Sequence, residues 1–94
     1  WNLTAEQVSA KIRAFTSNPG AWTNFRGSPI KIAAPVITSE KIAPGVILLN
    51  DKRILIGTST NALEIGFITS VGKSQSFAAA WANGARLQPG DHCE

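Results

Sequence analysis

The amino-acid sequence predicts a small, mainly β domain with two short helices, arranged as a barrel or sandwich. Three observations carry that reading. The chain has 94 residues, 44% of them hydrophobic, which suits one packed globule and not a disordered segment. Five short runs rich in β-branched and aromatic residues follow one another between positions 21 and 68, with turn chemistry at each break. That close spacing leaves no room for βαβ crossovers, so a parallel doubly wound sheet is not expected.

Taken in order, the chain opens on a helix start. Thr4 is a good N-cap, and Gln7 stands three residues on to complete a capping box. Val8, Ile12 and Phe15 recur at i, i+4 and i+7, with Ala5 completing the apolar stripe. Lys11 and Arg13 fall off the stripe near the C-terminal end, where cations suit the macrodipole, and Asn18-Pro19-Gly20 stops the helix. Strands are expected at Ala21–Phe25, Ile30–Ile37, Val46–Leu49, Ile54–Thr58 and Leu63–Ile68. The breaks are Arg26-Gly27-Ser28-Pro29, Ala43-Pro44-Gly45, Asn50-Asp51-Lys52 and Ser59-Thr60-Asn61. In the last strand Leu63, Ile65 and Phe67 alternate with Ala62, Glu64 and Gly66, so those three are expected on one buried face. A second helix is expected from a cap at Ser74 or Ser76 to Gly84 as its C′ residue. Phe77 and Trp81, one turn apart, would press into the barrel. Arg86-Leu87 is a candidate last strand, and the residues after it read as a plain terminus.

Several classes are excluded. The longest apolar run, Val46-Ile47-Leu48-Leu49, is far short of the roughly 20 residues that span a bilayer. No charged, apolar, small-residue leader opens the chain. The one cysteine, Cys93, cannot make an internal disulfide framework, which favours the cytoplasm. Asn2-Leu3-Thr4 fits a glycosylation pattern but reads more simply as the helix start. There is no methionine, and residue 1 is Trp, a poor natural start; the chain is therefore expected to be one domain, residues 1–94, of a longer protein.

Chemistry is sparse. Gly66 to Ser74 imitates a phosphate-binding loop, but five residues separate Gly66 from Gly72-Lys73-Ser74, one too many, and the βα context is missing. Val46 to Asp51 imitates a Walker B strand only as any strand before a turn would. His92 and Cys93 adjoin in the tail, without a fixed base for a nucleophile and without four separated ligands for zinc. Glu6, Glu40, Asp51, Glu64, Asp91 and Glu94 are scattered and form no acid–base pair. No catalytic residue and no metal ligand is assigned.

What remains is basic surface. Nine Lys and Arg against six Asp and Glu give a net charge of +3, spread over nearly every element. Arg26, Lys52, Arg53 and Lys73 are expected at the surface. A small barrel with cations at its rim can hold nucleic acid by displacing counterions from phosphates, although ordinary solvated charge explains +3 as well. The aromatic residues add no stacking argument. Phe15, Phe67, Phe77 and Trp81 fall at expected core positions, which leaves only Trp1, Trp22 or Phe25 to spare.

Read together, Trp1-Asn2-Leu3-Thr4-Ala5-Glu6, Ile12-Arg13-Ala14-Phe15 and Pro19-Gly20-Ala21-Trp22-Thr23 resemble the start of the C-terminal domain of methionyl-tRNA formyltransferases. Ile30-Lys31-Ile32, Pro44-Gly45, Gly57, Gly72-Lys73 and Trp81-Ala82-Asn83-Gly84-Ala85-Arg86-Leu87 continue the likeness in order over essentially the whole chain. The resemblance implies an open Greek-key barrel of oligonucleotide-binding-like form. It also implies a monomer in which a separate Rossmann-like N-terminal domain uses 10-formyltetrahydrofolate to formylate methionyl initiator tRNA in the bacterial cytoplasm. The barrel would then hold that tRNA by its backbone, with Arg13, Arg26, Lys31, Lys52, Arg53, Lys73 and Arg86 as the candidate contacts. Ser74 stands where many relatives carry a second Lys, which weakens a phosphate clamp at that loop. The alternatives are a packing barrel of another formyl-transferring enzyme, such as a sugar-nucleotide formyltransferase or formyltetrahydrofolate hydrolase, and a stand-alone single-strand binder.

Overall fold

The computed structural model describes residues 1–14 and 21–93. Helix α1 (Ala5–Ala14) begins where the capping box places it: the Gln7 amide donates to Thr4 Oγ1 at 3.2 Å, and the Thr4 amide donates to Gln7 Oε1 at 3.0 Å. Ala5, Val8 and Ile12 are buried, as the stripe requires. The expected stop at Asn18-Pro19-Gly20 and the core position of Phe15 lie outside the described residues.

Six strands follow: β1 (Ala21–Phe25), β2 (Ser28–Ile37), β3 (Ile47–Asn50), β4 (Arg53–Ile56), β5 (Leu63–Ser70) and β6 (Ser76–Phe77). All pairings are antiparallel, in the order β1-β2-β5-β4-β3, with β6 also on β5. β3, β4 and β5 form a meander, and the long return from β2 lays it beside β5, which is Greek-key topology. The result is an open six-stranded sheet, barrel-like, with two short helices. Ile32, Ile54, Ile56, Leu63, Ile65 and Ile68 fill its interior against α1.

Two hairpins turn on two residues each. Arg26 and Gly27 have φ of 52° and 80°, Asp51 and Lys52 of 52° and 63°, so both turns have the primed geometry that matches strand twist. Lys52 holds a left-handed conformation with a full side chain, which is strained. Lys52→Gly is expected to raise stability by about 0.5–1 kcal/mol in thermal melts, the relief of strain exceeding the added chain entropy.

Several expectations need correction. The alternation of Leu63, Ile65 and Phe67 breaks, because Ala34 takes a φ of 58° opposite Gly66. Leu63 and Ile65 point inward before that position and Ile68 after it, leaving Phe67 only half-buried. A Cβ on Gly66 would come within 2.9 Å of the Ala34 Cβ, so the kink needs a glycine there.

Helix α2 (Ala78–Ala85) has no cap from Ser74 or Ser76. Pairing of Phe77 with Phe67 keeps residues 76–77 extended, and Ser76 Oγ donates to the Ile68 carbonyl instead. Phe77 therefore lies outside, 70% exposed, while Trp81 packs edge-on to Phe25 and donates to Ser70 Oγ. The helix ends on a left-handed Arg86, whose amide donates to the Ala82 carbonyl, and Gly84 lies within the helix. Arg86-Leu87 forms no strand. Phe25, considered spare, is buried.

The last correction concerns the tail. Cys93 bridges to Phe25 at the end of β1, and His92 to Val46 just before β3. The Ile47 amide donates to the Asp91 carbonyl at 3.0 Å and the Cys93 amide to the Gly45 carbonyl at 2.6 Å. Residues 91–93 thus link the end of β1 to the start of β3, capping one end of each edge strand.

Candidate nucleic-acid interface

Of the candidate cations, Arg26 is the most heavily engaged. Its Nε and Nη2 donate to the two Asp91 carboxylate oxygens at 3.3 and 2.6 Å. Nη1 and Nη2 also donate to the carbonyls of Ala85 and Arg86, where the negative end of the α2 dipole lies. The guanidinium sits 4.7 Å from the centre of the Phe25 ring. Arg26, with a hydrogen bond from the Gln88 amide, holds the Asp91 carboxyl below the usual carboxylate range. Arg26 therefore ties the first hairpin, the end of α2 and the tail together.

Arg53 has a similar structural duty. It begins β4 and donates from Nε to Glu64 at 2.9 Å and from Nη1 to Glu40 at 3.2 Å. Those carboxylates raise its own pKa, and the Thr38 hydroxyl together with Arg53 lowers that of Glu40. Three carboxylates are thus consumed by two arginines. Among the described residues Lys11, Arg13, Lys31, Lys41, Lys52, Lys73 and Arg86 have no carboxylate partner, against Glu6 and Asp51 on the acidic side.

The structure gathers some of these cations and separates others. Lys73, exposed in the turn after β5, lines with Arg26, Ser28, Ser74, Ser76 and Trp81 a depression of about 550 Å³. Arg86 borders a second groove, between α2 and β3, whose other wall ends at Asn50 beside the Lys52 turn. The end of α2 is thus flanked by Lys73 on one side and by Arg86 and the Lys52 hairpin on the other. Lys31 lies on the outer face of β2, paired with Trp22 and Thr69. Arg13 is exposed on α1, away from both depressions.

The two imitations of nucleotide motifs dissolve in this geometry. Gly72-Lys73-Ser74 reverses the chain between antiparallel β5 and β6, and Val46 to Asp51 leads into a hairpin. His92 and Cys93 point apart, one exposed and the other buried. Burial pushes the Cys93 thiol up to about 11, so it stays protonated at neutral pH and is a poor nucleophile. Among the described residues no three His, Cys, Asp or Glu side chains gather to hold a metal, and no helix is long and apolar enough to cross a membrane.

Sequence reasoning left Trp22 spare but passed over Phe67 and Phe77 as site residues. Those two became visible only through the flip at Ala34 and the extended residues 76–77, which turn Phe67 and Phe77 onto the sheet face that carries the exposed Trp22.

An open Greek-key barrel with a basic rim is an oligonucleotide-binding-like domain. The chain belongs to the formyl transferase C-terminal domain family, whose model matches residues 1–86. It is 39% identical over 93 residues to the methionyl-tRNA formyltransferase of Mycobacteroides abscessus, covering 98% of this chain and 30% of that relative. The Streptomyces coelicolor enzyme of the same name is 36% identical over 93 residues, 97% of the chain and 30% of the relative. That of Rhodococcus erythropolis is 40% identical over 87 residues, 93% and 28% respectively. The chain thus spans about three tenths of the length of these bacterial relatives.

Proposed function

We propose that this chain is the tRNA-binding barrel of a methionyl-tRNA formyltransferase. In this reading it contributes no reacting group. A preceding Rossmann-like domain binds 10-formyltetrahydrofolate and transfers the formyl group to methionyl initiator tRNA, in the cytoplasm. The barrel orients the tRNA through phosphate contacts that carry no sequence information. One observation carries the reading beyond family membership: Asp91, Glu40 and Glu64 are spent on Arg26 and Arg53, so the remaining surface is more positive than the composition suggests. Lys73, Arg86 and Lys52 around the end of α2 are the first phosphate contacts, and Lys31 stands apart from them on the outer face of β2.

The experiment follows from separating structural cations from available ones. Reversing Lys52, Lys73 and Arg86 together to Glu in the full enzyme is expected to raise the KM for tRNA by at least about tenfold. The folate KM and melting temperature should stay unchanged. Each neutralised contact should lower the slope of log K against log salt by about 1. Reversing Arg26 or Arg53 instead should first lower the melting temperature, since it leaves their carboxylates unpaired. An unchanged tRNA KM in the triple reversal would overturn the reading in favour of a packing role.

A further inference from the structure

The outer face of β1, β2, β5 and β6 carries an aromatic surface that the phosphate contacts do not use. Thr23, Phe25, Ile30, Ile32 and Ile68 point into the core, so their alternates point out. Register sets Trp22, Lys31 and Thr69 in one row and Ala33, Phe67 and Phe77 in the next. The rings of Phe67 and Phe77 stack at 5.3 Å and 29°. Phe77 is 70% exposed and Trp22 47%. β1 and β5 are two strand spacings apart and the two rows are offset by two residues, so Trp22 and Phe67 lie about 12 Å from each other, with Phe77 one strand further out. Exposed apolar patches of this kind on a small domain mark contact surfaces.

Charge decides the occupant. Neither row holds a carboxylate, Lys31 stands between the two aromatic stations, and Lys73 stands in the turn that follows β5. Aromatic faces interrupted by a cation and free of acid complement a polyanion with flat π-systems along it, which describes unpaired nucleotides. We propose that this face is a base-stacking platform, where Trp22 and the Phe67–Phe77 pair take unpaired bases of a bound RNA and Lys31 takes the phosphate between them. The proposal rests on the RNA-binding reading above and deepens it. The barrel would prefer looped or unstacked segments to uniform duplex, because in a duplex the base faces are already stacked on one another.

The test is anisotropy of end-labelled RNA with the 94-residue chain, using a short oligoadenylate and a duplex hairpin with the same number of phosphates. Oligoadenylate is expected to bind more tightly than the hairpin. Phe77→Leu and Trp22→Leu, which keep apolar contacts on the sheet, should each weaken oligoadenylate binding about tenfold. The salt slope and melting temperature should not change. If both RNAs bind alike with a steep salt slope and the aromatic variants match the parent, the platform is overturned while the phosphate-contact reading stands. Absence of binding by either RNA at low salt overturns both. Should Phe77→Leu abolish self-association and leave RNA affinity intact, the face is a protein contact and the platform falls.

Discussion

Gly57→Ala is expected to destabilise the domain by at least about 3 kcal/mol, lowering the melting temperature by roughly 12–24 °C. The φ of Gly57 is not in the left-handed region, so the penalty is one of space. A Cβ there would fall on the carbonyl oxygens of Ala43 and Ile42. Those are backbone atoms and cannot swing aside as a side-chain end can. The Ala43 carbonyl already accepts from the Val46 amide at 3.1 Å, and the Gly57 amide and carbonyl pair with Val46 and Gly45 at 2.9 Å each. Moving the loop to admit a methyl would break this ladder, which holds the β2–β3 connection against the end of β4. Gly84 is the control: it lies in α2 with open space around it, and Ala there should not destabilise the domain. A Gly57→Ala protein that melts within a few degrees of the parent would show that the connection yields freely.

Local chemistry made much of this fold legible. The bounds of β1 match the expected ones, the capping box at Thr4 and Gln7 forms both of its hydrogen bonds, and both two-residue turns fall within the expected breaks. In each case the information lies within a few residues. The failures are non-local or conformational. Nothing in the letter Ala announces a φ of 58° at Ala34, yet that residue flips the face of two strands and moves Phe67 out of the core. Residues 76–77 look like a helix start until β5 is present to pair with them.

The same division governs the candidate site. Turn position made Arg26 look available, but its partners Asp91, Ala85 and Arg86 come from some sixty residues away. Arg53 is turned to account by Glu40 and Glu64 in the same manner. Counting charges could not separate these structural arginines from Lys73, Lys52 and Arg86. Only the ion pairs do so. The aromatic face was hidden for the conformational reason already given, since periodicity assigned Phe67 and Phe77 to the interior.

Removing residues 91–94 is expected to cost about 3–4 kcal/mol, a large part of the roughly 5–14 kcal/mol that holds a domain of this size. The deletion loses the main-chain bonds from Ile47 to Asp91 and from Cys93 to Gly45, each contributing about 1 kcal/mol net. It also exposes Phe25 and Ile47, which are 6% and 1% exposed in the intact chain, for a further loss of 1–2 kcal/mol by area. Cys93→Ala at full length keeps both bridges and should cost about 1 kcal/mol, so the difference between the two variants reports the main-chain bridges together with the Arg26–Asp91 pair. Acid provides an independent handle. The folded-state pKa of Asp91 is depressed by Arg26 and the Gln88 amide. Its contribution is therefore present above the unfolded value, about 3.9, and is lost as pH falls from there through the folded value. The melting advantage of the parent over Asp91→Asn should accordingly be constant near neutrality and shrink below about pH 4. A truncated chain that melts within about 2 °C of the parent, or an Asp91→Asn difference that persists unchanged into acid, would show that the tail lies on the barrel without closing it.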